Sequence, residues 1–143
     1  MRFSLIVTFL ITSSVAQQNG ERIEFNSANP FSFYHVITDL ENQESQKIFG
    51  ILRFPENAQR KNLPLVLGVA GSLAWSDHHL EYLKMYRDMG MATFELKSFA
   101  SRDITSTVGT QVEVTSAMMI LDAYKALVVL GNDPRIDIDR VAI

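Results

Sequence analysis

Cysteine is absent from the sequence, and its absence excludes several kinds of functional site. Within these 143 residues there can be no disulfide, no thiolate nucleophile and no cysteine-ligated metal centre. Two phosphate-binding patterns, G-x-G-x-x-G and G-x-x-x-x-G-K-[ST], are also missing, so the sequence does not indicate a nucleotide-binding domain. The formal net charge of −3 gives no electrostatic reason to expect a nucleic acid or an anionic membrane surface as a partner.

An apolar run near the amino terminus has the features of a secretory signal peptide. Arg2 supplies the positive charge, Phe3–Ile11 is the apolar segment, and Ser14-x-Ala16 fits a cleavage site. We therefore predict a signal peptide over residues 1–16 and export to the periplasm or the medium. The alternatives are an uncleaved interfacial anchor and an ordinary first strand. The run is too short to cross a bilayer core of ~30 Å, so no membrane span is predicted.

The stretch Leu63–Trp75 organises the rest of the chain. Pro64 is tolerated at the start of a strand, and Leu65–Val69 is apolar on both faces, as in the centre of a parallel sheet. Gly71 and Ser72 then indicate a turn before a helical pattern. Ligands of such sheets bind beyond the carboxyl ends of the strands, so the turn Ala70–Trp75 is the expected functional position.

The segments before this stretch are β-prone. Ile23–Phe25 could begin a short strand, Phe31–Asp39 is β-prone with imperfect alternation, and Gln46–Phe54 alternates clearly. Short connections between them favour antiparallel pairing.

Two helices and two strands are predicted after the turn. Ser76 or Asp77 would cap the first helix, and its apolar stripe comprises Tyr82, Met85, Tyr86 and Met89. Strand Met91–Leu96 and the polar loop Lys97–Gly109 follow. A capping box, Thr110-x-x-Glu113, would open the second helix, which Gly131 ends. Its predicted apolar face comprises Ala117, Ile120, Leu121, Tyr124, Leu127 and Val128.

This element order predicts an α/β fold with an antiparallel start, then parallel strands with flanking helices. The final strand, Ile138–Ile143, would need partners on both sides if it were central in the sheet. We therefore expect residues 17–143 to be the N-terminal part of one domain in a longer protein.

Several segments together resemble the α/β-hydrolase superfamily, and within it the dienelactone hydrolase family. The resemblance covers roughly 47–143 and rests on a pattern across several elements. Its residues are Ile48–Leu52, Leu65–Ser72, Met89–Leu96, Ser101-Arg102, Asp122–Leu127 and Asp133–Ile143.

The resemblance implies a hydrolase acting on a small-molecule ester or lactone by acyl transfer, with no cofactor. In that family the strand ending at Ile143 leads into the nucleophile elbow, G-x-[S or C]-x-G. Nucleophile, acid and histidine would therefore all follow Ile143, and this chain would be truncated before the elbow, inactive alone, with no catalytic residue of its own. It would contribute an oxyanion-hole donor, the Ser72 backbone N–H, with Gly71 allowing close approach and Leu73 beside it.

One residue departs from the superfamily pattern. Most members have His-Gly at this turn, and this chain has Ala70-Gly71, although the dienelactone hydrolase branch varies there. The departure concerns the substrate class, because neighbouring side chains shape the pocket. Ser72 as a nucleophile is disfavoured, since no histidine lies at an activating spacing. A plain turn residue is the alternative reading of Ser72.

Two further side chains are candidate pocket residues. Trp75 could wall the pocket or pack as a lid over the turn. Arg102 could bind a substrate carboxylate, although pairing with Glu95 or Asp103 is favoured. Asp122 is expected to face solvent or to pair with a neighbouring lysine.

A metal site is disfavoured. His78 and Glu81 share a helix face with His79 nearby, but His35 is the only other histidine. Capping or exposed surface is the better account of these residues, and no metal is predicted. The competing function is a non-catalytic binding protein of the same fold. The residues that follow Ile143 would decide between it and a hydrolase.

Overall fold

One mixed sheet of five strands organises the computed structural model, which describes residues 20–56, 59 and 61–143. The predicted signal peptide, 1–16, lies outside the described residues. The strands lie in the order β1-β2-β4-β3-β5. Their bounds are Glu21–Ala28 (β1), Ser45–Arg53 (β2), Leu63–Gly68 (β3), Ala92–Leu96 (β4) and Ile136–Ala142 (β5).

Strand direction reverses twice across the sheet, from β1 to β2 and again from β2 to β4. β1 pairs with β2 and β2 with β4 in antiparallel fashion, whereas β4, β3 and β5 are parallel neighbours. The predicted fold class is thereby confirmed: an antiparallel start, then parallel strands with flanking helices. Gly50 of β2 is required by packing, because any Cβ there would collide with the ring of Phe94 on β4.

The three helices are Phe33–Thr38 (α1), Asp77–Asp88 (α2) and Ser116–Leu130 (α3). Helix α1 occupies the segment Phe31–Asp39, so the β-prone interpretation was wrong there. β1 and β2 pair directly with each other and leave no position between them for another strand. Most apolar residues of α1 are exposed, namely Phe33, Tyr34 and Ile37, so the apolar pattern of this segment does not reflect burial in the core.

Helix α2 begins where predicted but faces the sheet with a different side. Ser76 is the N-cap and forms a capping box with the side chain of His79. The buried residue is Leu83, whereas Tyr82, Met85 and Met89 of the predicted stripe are exposed. Only a narrow line of α2 contacts the sheet, so most of the stripe remains outside the core.

Helix α3 begins later than predicted and is rotated. Thr115, not Thr110, caps it by accepting a hydrogen bond from the Met118 N–H at 3.2 Å. The Thr110 hydroxyl instead contacts the Glu113 carboxylate within the preceding loop. The predicted face was wrong at its exposed members, which are Ile120, Tyr124 and Val128. The buried face comprises Ala117, Met118, Leu121, Asp122, Ala123, Ala126 and Leu130. Gly131 ends the helix as predicted.

The hydrophobic core lies between α3 and one face of the sheet. Alternate residues of β3, namely Leu63, Leu65 and Leu67, join Ala123 and Ala126 of α3 in it. The other β3 residues, Val66 and Gly68, face α2 and are only half-buried. Small alanine side chains let α3 lie close to the sheet. In the described part of the chain, no helix has the length and apolar character needed to cross a membrane.

Candidate functional site

A four-residue turn follows β3 at its carboxyl end. The Ala74 N–H donates to the Gly71 carbonyl at 2.8 Å, which closes the turn over Ser72 and Leu73. Ala74 adopts a left-handed φ of 57°, and α2 begins three residues later. The turn lies between the end of β3 at Gly68 and the start of α2 at Asp77, so few residues separate it from either element. Its backbone is therefore restrained on both sides.

The carbonyl of Ser72 is fixed from outside the turn. It accepts hydrogen bonds from the Thr107 N–H at 2.9 Å and from the Ser106 hydroxyl at 3.2 Å, both on the loop after β4. The N–H groups of Ser72 and Leu73 make no hydrogen bond within the described residues, and both residues are exposed. The turn therefore has two backbone N–H donors without a protein acceptor among the described residues, both on exposed residues.

Gly71 lies at the open side of the turn. A Cβ at this residue would meet no heavy atom within 4 Å, and its φ is outside the left-handed region. Neither local packing nor backbone strain therefore requires glycine here. An approaching molecule that needs space beside the main chain would give the glycine a role, which is the role predicted for it.

Trp75 packs from the turn back onto the sheet. Its indole N–H donates to the Leu96 carbonyl at 2.7 Å, and the ring lies over Gly68, where a Cβ would come within 2.6 Å of Cη2. The His79 ring contacts it edge-on, with centroids 5.9 Å apart. Trp75 thus connects β3, β4 and α2, and its ring packs on the sheet and not over the turn.

The same tryptophan also forms one wall of an open groove of about 410 Å³. The groove lies on the α2 side of the sheet, beside the end of β5. Its lining includes Val66, Trp75, Tyr82, Leu83, Tyr86 and Ala142. Trp75 therefore lines a cavity in this structure, and that cavity is mainly apolar.

Arg102 is buried, and protein acceptors occupy all five of its N–H donors. Its two terminal nitrogens bind the Asp122 carboxylate at 2.7 and 3.2 Å and the carbonyls of Ser98 and Ala28, and Nε binds Asn29 Oδ1 at 2.8 Å. The favoured prediction was that Arg102 forms an ion pair within the protein, and it does so. Its partner is Asp122, however, and neither Glu95 nor Asp103. In this arrangement no N–H remains for a substrate carboxylate.

Asp122 is fully buried, so its expected position at the solvent or beside a lysine was wrong. Its side chain projects from the buried face of α3 to Arg102 on the loop after β4. Glu95, in turn, binds Arg53 and Lys97 on the other face of the sheet.

His79 takes part in capping the start of α2, whereas His78 contacts the side chain of Ser76. The Ser76 N–H donates to His79 Nδ1 at 3.2 Å, so that ring nitrogen is the acceptor in this contact. His78 Nδ1 lies 3.0 Å from the Ser76 hydroxyl. Among the described residues there is no group of three or more potential ligands that could hold a metal ion.

Sequence reasoning missed Ser106 and Thr107. The polar loop Lys97–Gly109 was identified as a functional candidate, but nothing in its local pattern relates either residue to Ser72. The contact arises because the carboxyl ends of the parallel neighbours β3 and β4 lie side by side.

Comparisons with known proteins give structural neighbours only. No family model matches the sequence, and no curated protein matches it. Solved structures similar to the chain include a dienelactone hydrolase-like promiscuous phosphotriesterase from metagenomic libraries (TM-score 0.47, 16% identity) and a hypothetical protein from Pseudomonas aeruginosa (TM-score 0.48, 15% identity). The matches cover 85% and 99% of this chain, which spans 48% and 40% of the length of those two chains.

Proposed function

We propose that the chain is the N-terminal part of an exported dienelactone hydrolase-like enzyme that cleaves a carboxylic ester or lactone by acyl transfer. The nucleophile, a serine or a cysteine, and its acid and histidine partners follow Ile143. The described residues supply the oxyanion-hole turn, in which Ser72 donates its N–H and Gly71 leaves the main chain accessible. The substrate is a small molecule, and neither a metal nor another cofactor takes part.

The observation that carries the proposal is the parallel pairing of β3 with β5. Val66 pairs with Ala142, so the carboxyl ends of both strands lie at the same edge of the sheet. Neighbouring strands are about 4.8 Å apart. A nucleophile on a turn directly after β5 would therefore stand beside the Gly71–Ala74 turn. This juxtaposition is what attack on a carbonyl carbon requires when backbone donors must reach the carbonyl oxygen.

The N–H groups of the turn that have no protein acceptor among the described residues fit the charge that such a reaction develops. Attack of the nucleophile converts the planar carbonyl to a tetrahedral intermediate with a negative oxygen. Donors whose direction is fixed before the reaction stabilise that charge without reorganising. The hydrogen bonds that hold the turn at Gly71 and Ser72 provide this fixed geometry.

The proposal is tested on the full-length protein from its native coding region. We expect G-x-[S or C]-x-G directly after Ile143, and hydrolysis of p-nitrophenyl acetate or of the aromatic lactone dihydrocoumarin. A matched control is the purified segment 17–143, for which we expect hydrolysis at the background rate. A stop codon after Ile143 would overturn the assignment, and a continuing sequence without the nucleophile would instead support the non-catalytic binding protein.

Export is tested separately by intact-mass measurement of the protein isolated from its native compartment. Cleavage after Ala16 predicts an N-terminal Gln17. A mature protein that retains Met1 or Arg2 would contradict cleavage.

A further inference from the structure

We propose that the loop after β4 orients a second oxyanion donor, the Leu73 N–H, and that Ser106 and Thr107 are its positioning residues. This inference rests on the proposed function and adds a residue to its donor set. The Ser72 N–H would be oriented by a hydrogen bond within the turn, and the Leu73 N–H by hydrogen bonds from the loop.

Peptide planarity supplies the physical reason. In a trans peptide the C=O and the following N–H lie in one plane and point in opposite directions, and none of the described peptide bonds is cis. The Gly71 carbonyl accepts from the Ala74 N–H, and that bond sets the plane that contains the Ser72 N–H. The Ser72 carbonyl accepts from Thr107 and Ser106, and those two bonds set the plane that contains the Leu73 N–H. The Ser72 donor is therefore fixed within the turn, whereas the Leu73 donor is fixed by the loop.

The loop is itself ordered where it contacts Ser72. Thr107 is 3% exposed, and its carbonyl accepts from the Thr110 and Gln111 N–H groups at 3.2 and 3.0 Å. The Ser106 hydroxyl accepts from the Val108 N–H at 3.1 Å while it donates to Ser72. Upstream, Arg102 joins the loop to α3 and to the end of β1 through its five donors. A restraint of this kind holds Leu73 while leaving its N–H without a protein acceptor among the described residues.

The first test compares Ser106→Ala with Thr105→Ala in the full-length protein. Ser106→Ala removes one of the two bonds to the Ser72 carbonyl. Thr105 is the matched control, because it is exposed and its side chain forms no hydrogen bond within the described residues. Amide ¹⁵N relaxation reports the order of each donor directly. We expect Ser106→Ala to lower the order of the Leu73 N–H and to leave the Ser72 N–H unchanged, with no change at either in Thr105→Ala.

The kinetic arm measures ester hydrolysis by the same variants. We expect kcat to fall about 2- to 10-fold in Ser106→Ala at constant KM, the range set by one hydrogen bond, and to be unchanged in Thr105→Ala. Equal Leu73 order in the two folded variants would overturn the positioning role, whether or not the protein hydrolyses esters. If the wild type shows no hydrolysis while Leu73 loses order in Ser106→Ala, the proposed function fails but the loop restraint stands.

A chemical substitution tests the donor itself. Replacing the Leu73 residue by its α-hydroxy analogue changes the preceding amide to an ester, which removes the Leu73 N–H and also weakens the Ser72 carbonyl as an acceptor. Ser106→Ala, which keeps the N–H and removes one bond to that carbonyl, measures the second effect separately. We expect a ~10²- to 10³-fold loss of kcat. A full kcat in this folded variant would overturn the assignment of Leu73 as a donor.

Discussion

Arg102 and Asp122 form a two-pronged ion pair, at 2.7 and 3.2 Å, between the loop after β4 and the buried face of α3. Their side chains are only 5% and 0% exposed. Charges removed from water to this extent are stable only when paired and hydrogen-bonded, and here the remaining guanidinium donors are satisfied by Asn29 and by main-chain carbonyls. The pair therefore connects the candidate site's supporting loop to the core.

Removing one member of this pair should be strongly destabilising. Asp122→Asn leaves a buried guanidinium without its counter-charge, and we expect the free energy of unfolding to fall by about 3–5 kcal/mol. Urea denaturation measures it. The control is Asp88→Asn, which breaks the exposed Lys84–Asp88 pair and should change stability by about 0.5 kcal/mol or less. Similar losses in both variants would contradict the buried role.

Substitution by alanine should destabilise the fold at Gly68 but not at Gly71, although both glycines lie near the turn. Gly68→Ala places a methyl against Trp75 and should cost about 1–3 kcal/mol, whereas Gly71→Ala meets open space and should leave stability nearly unchanged. Trp75 is the only tryptophan among these 143 residues, so in this segment its emission reports the displacement directly. We expect a shifted emission spectrum in Gly68→Ala alone. If Gly71 provides access for substrate, Gly71→Ala should nevertheless lower kcat/KM of the full-length enzyme.

Ser72 should matter through its main chain and not through its hydroxyl. Ser72→Pro removes the N–H donor and should lower kcat ~10²- to 10³-fold in the full-length enzyme. Ser72→Ala keeps the N–H and should have a mild effect. Circular dichroism and thermal melting check that the proline variant folds. A folded proline variant with full kcat would exclude Ser72 as a donor, and equal losses in both variants would implicate the hydroxyl.

The acid stability of the fold should depend on Asp133. Hydrogen bonds from the Arg135 side chain hold the pKa of the Asp133 carboxyl below its ordinary value. Because the folded pKa is lower than the unfolded one, about 3.9, the stabilisation is fully present above that pH and is lost as the pH falls through the folded pKa. Urea unfolding between about pH 5 and pH 2 should show a weaker pH dependence in Asp133→Asn than in the exposed control Asp139→Asn. Parallel curves for the two variants would contradict this account.

Local patterns predicted the strands well because strand burial repeats along the chain. Ile48, Gly50 and Leu52 alternate with half-exposed residues in β2, and this alternation is readable without a partner. The turn after β3 was also predictable from local sequence, because Gly71 and Ser72 directly follow an apolar run. Sheet direction followed from the lengths of the connections.

The helix faces were less predictable because the sheet decides which side is covered. α3 approaches the sheet through Ala123 and Ala126, whose small side chains carry little hydrophobic signal. Its large residues Tyr124 and Val128 remain outside. Contacts such as Arg102–Asp122 and Thr107–Ser72 join segments 20 to 35 positions apart, and only the completed topology brings them together.

The five-donor arrangement at Arg102 also bears on how such a scaffold can be re-engineered. One guanidinium joins the loop after β4, the end of β1 and the middle of α3, so these segments are not independent modules. A loop transplanted from another protein to alter specificity would lose its anchor unless Arg102, Asp122 and Asn29 travelled with it as a set. Loop diversification in a library should therefore spare Arg102 and concentrate on exposed positions such as Thr105 and Val108.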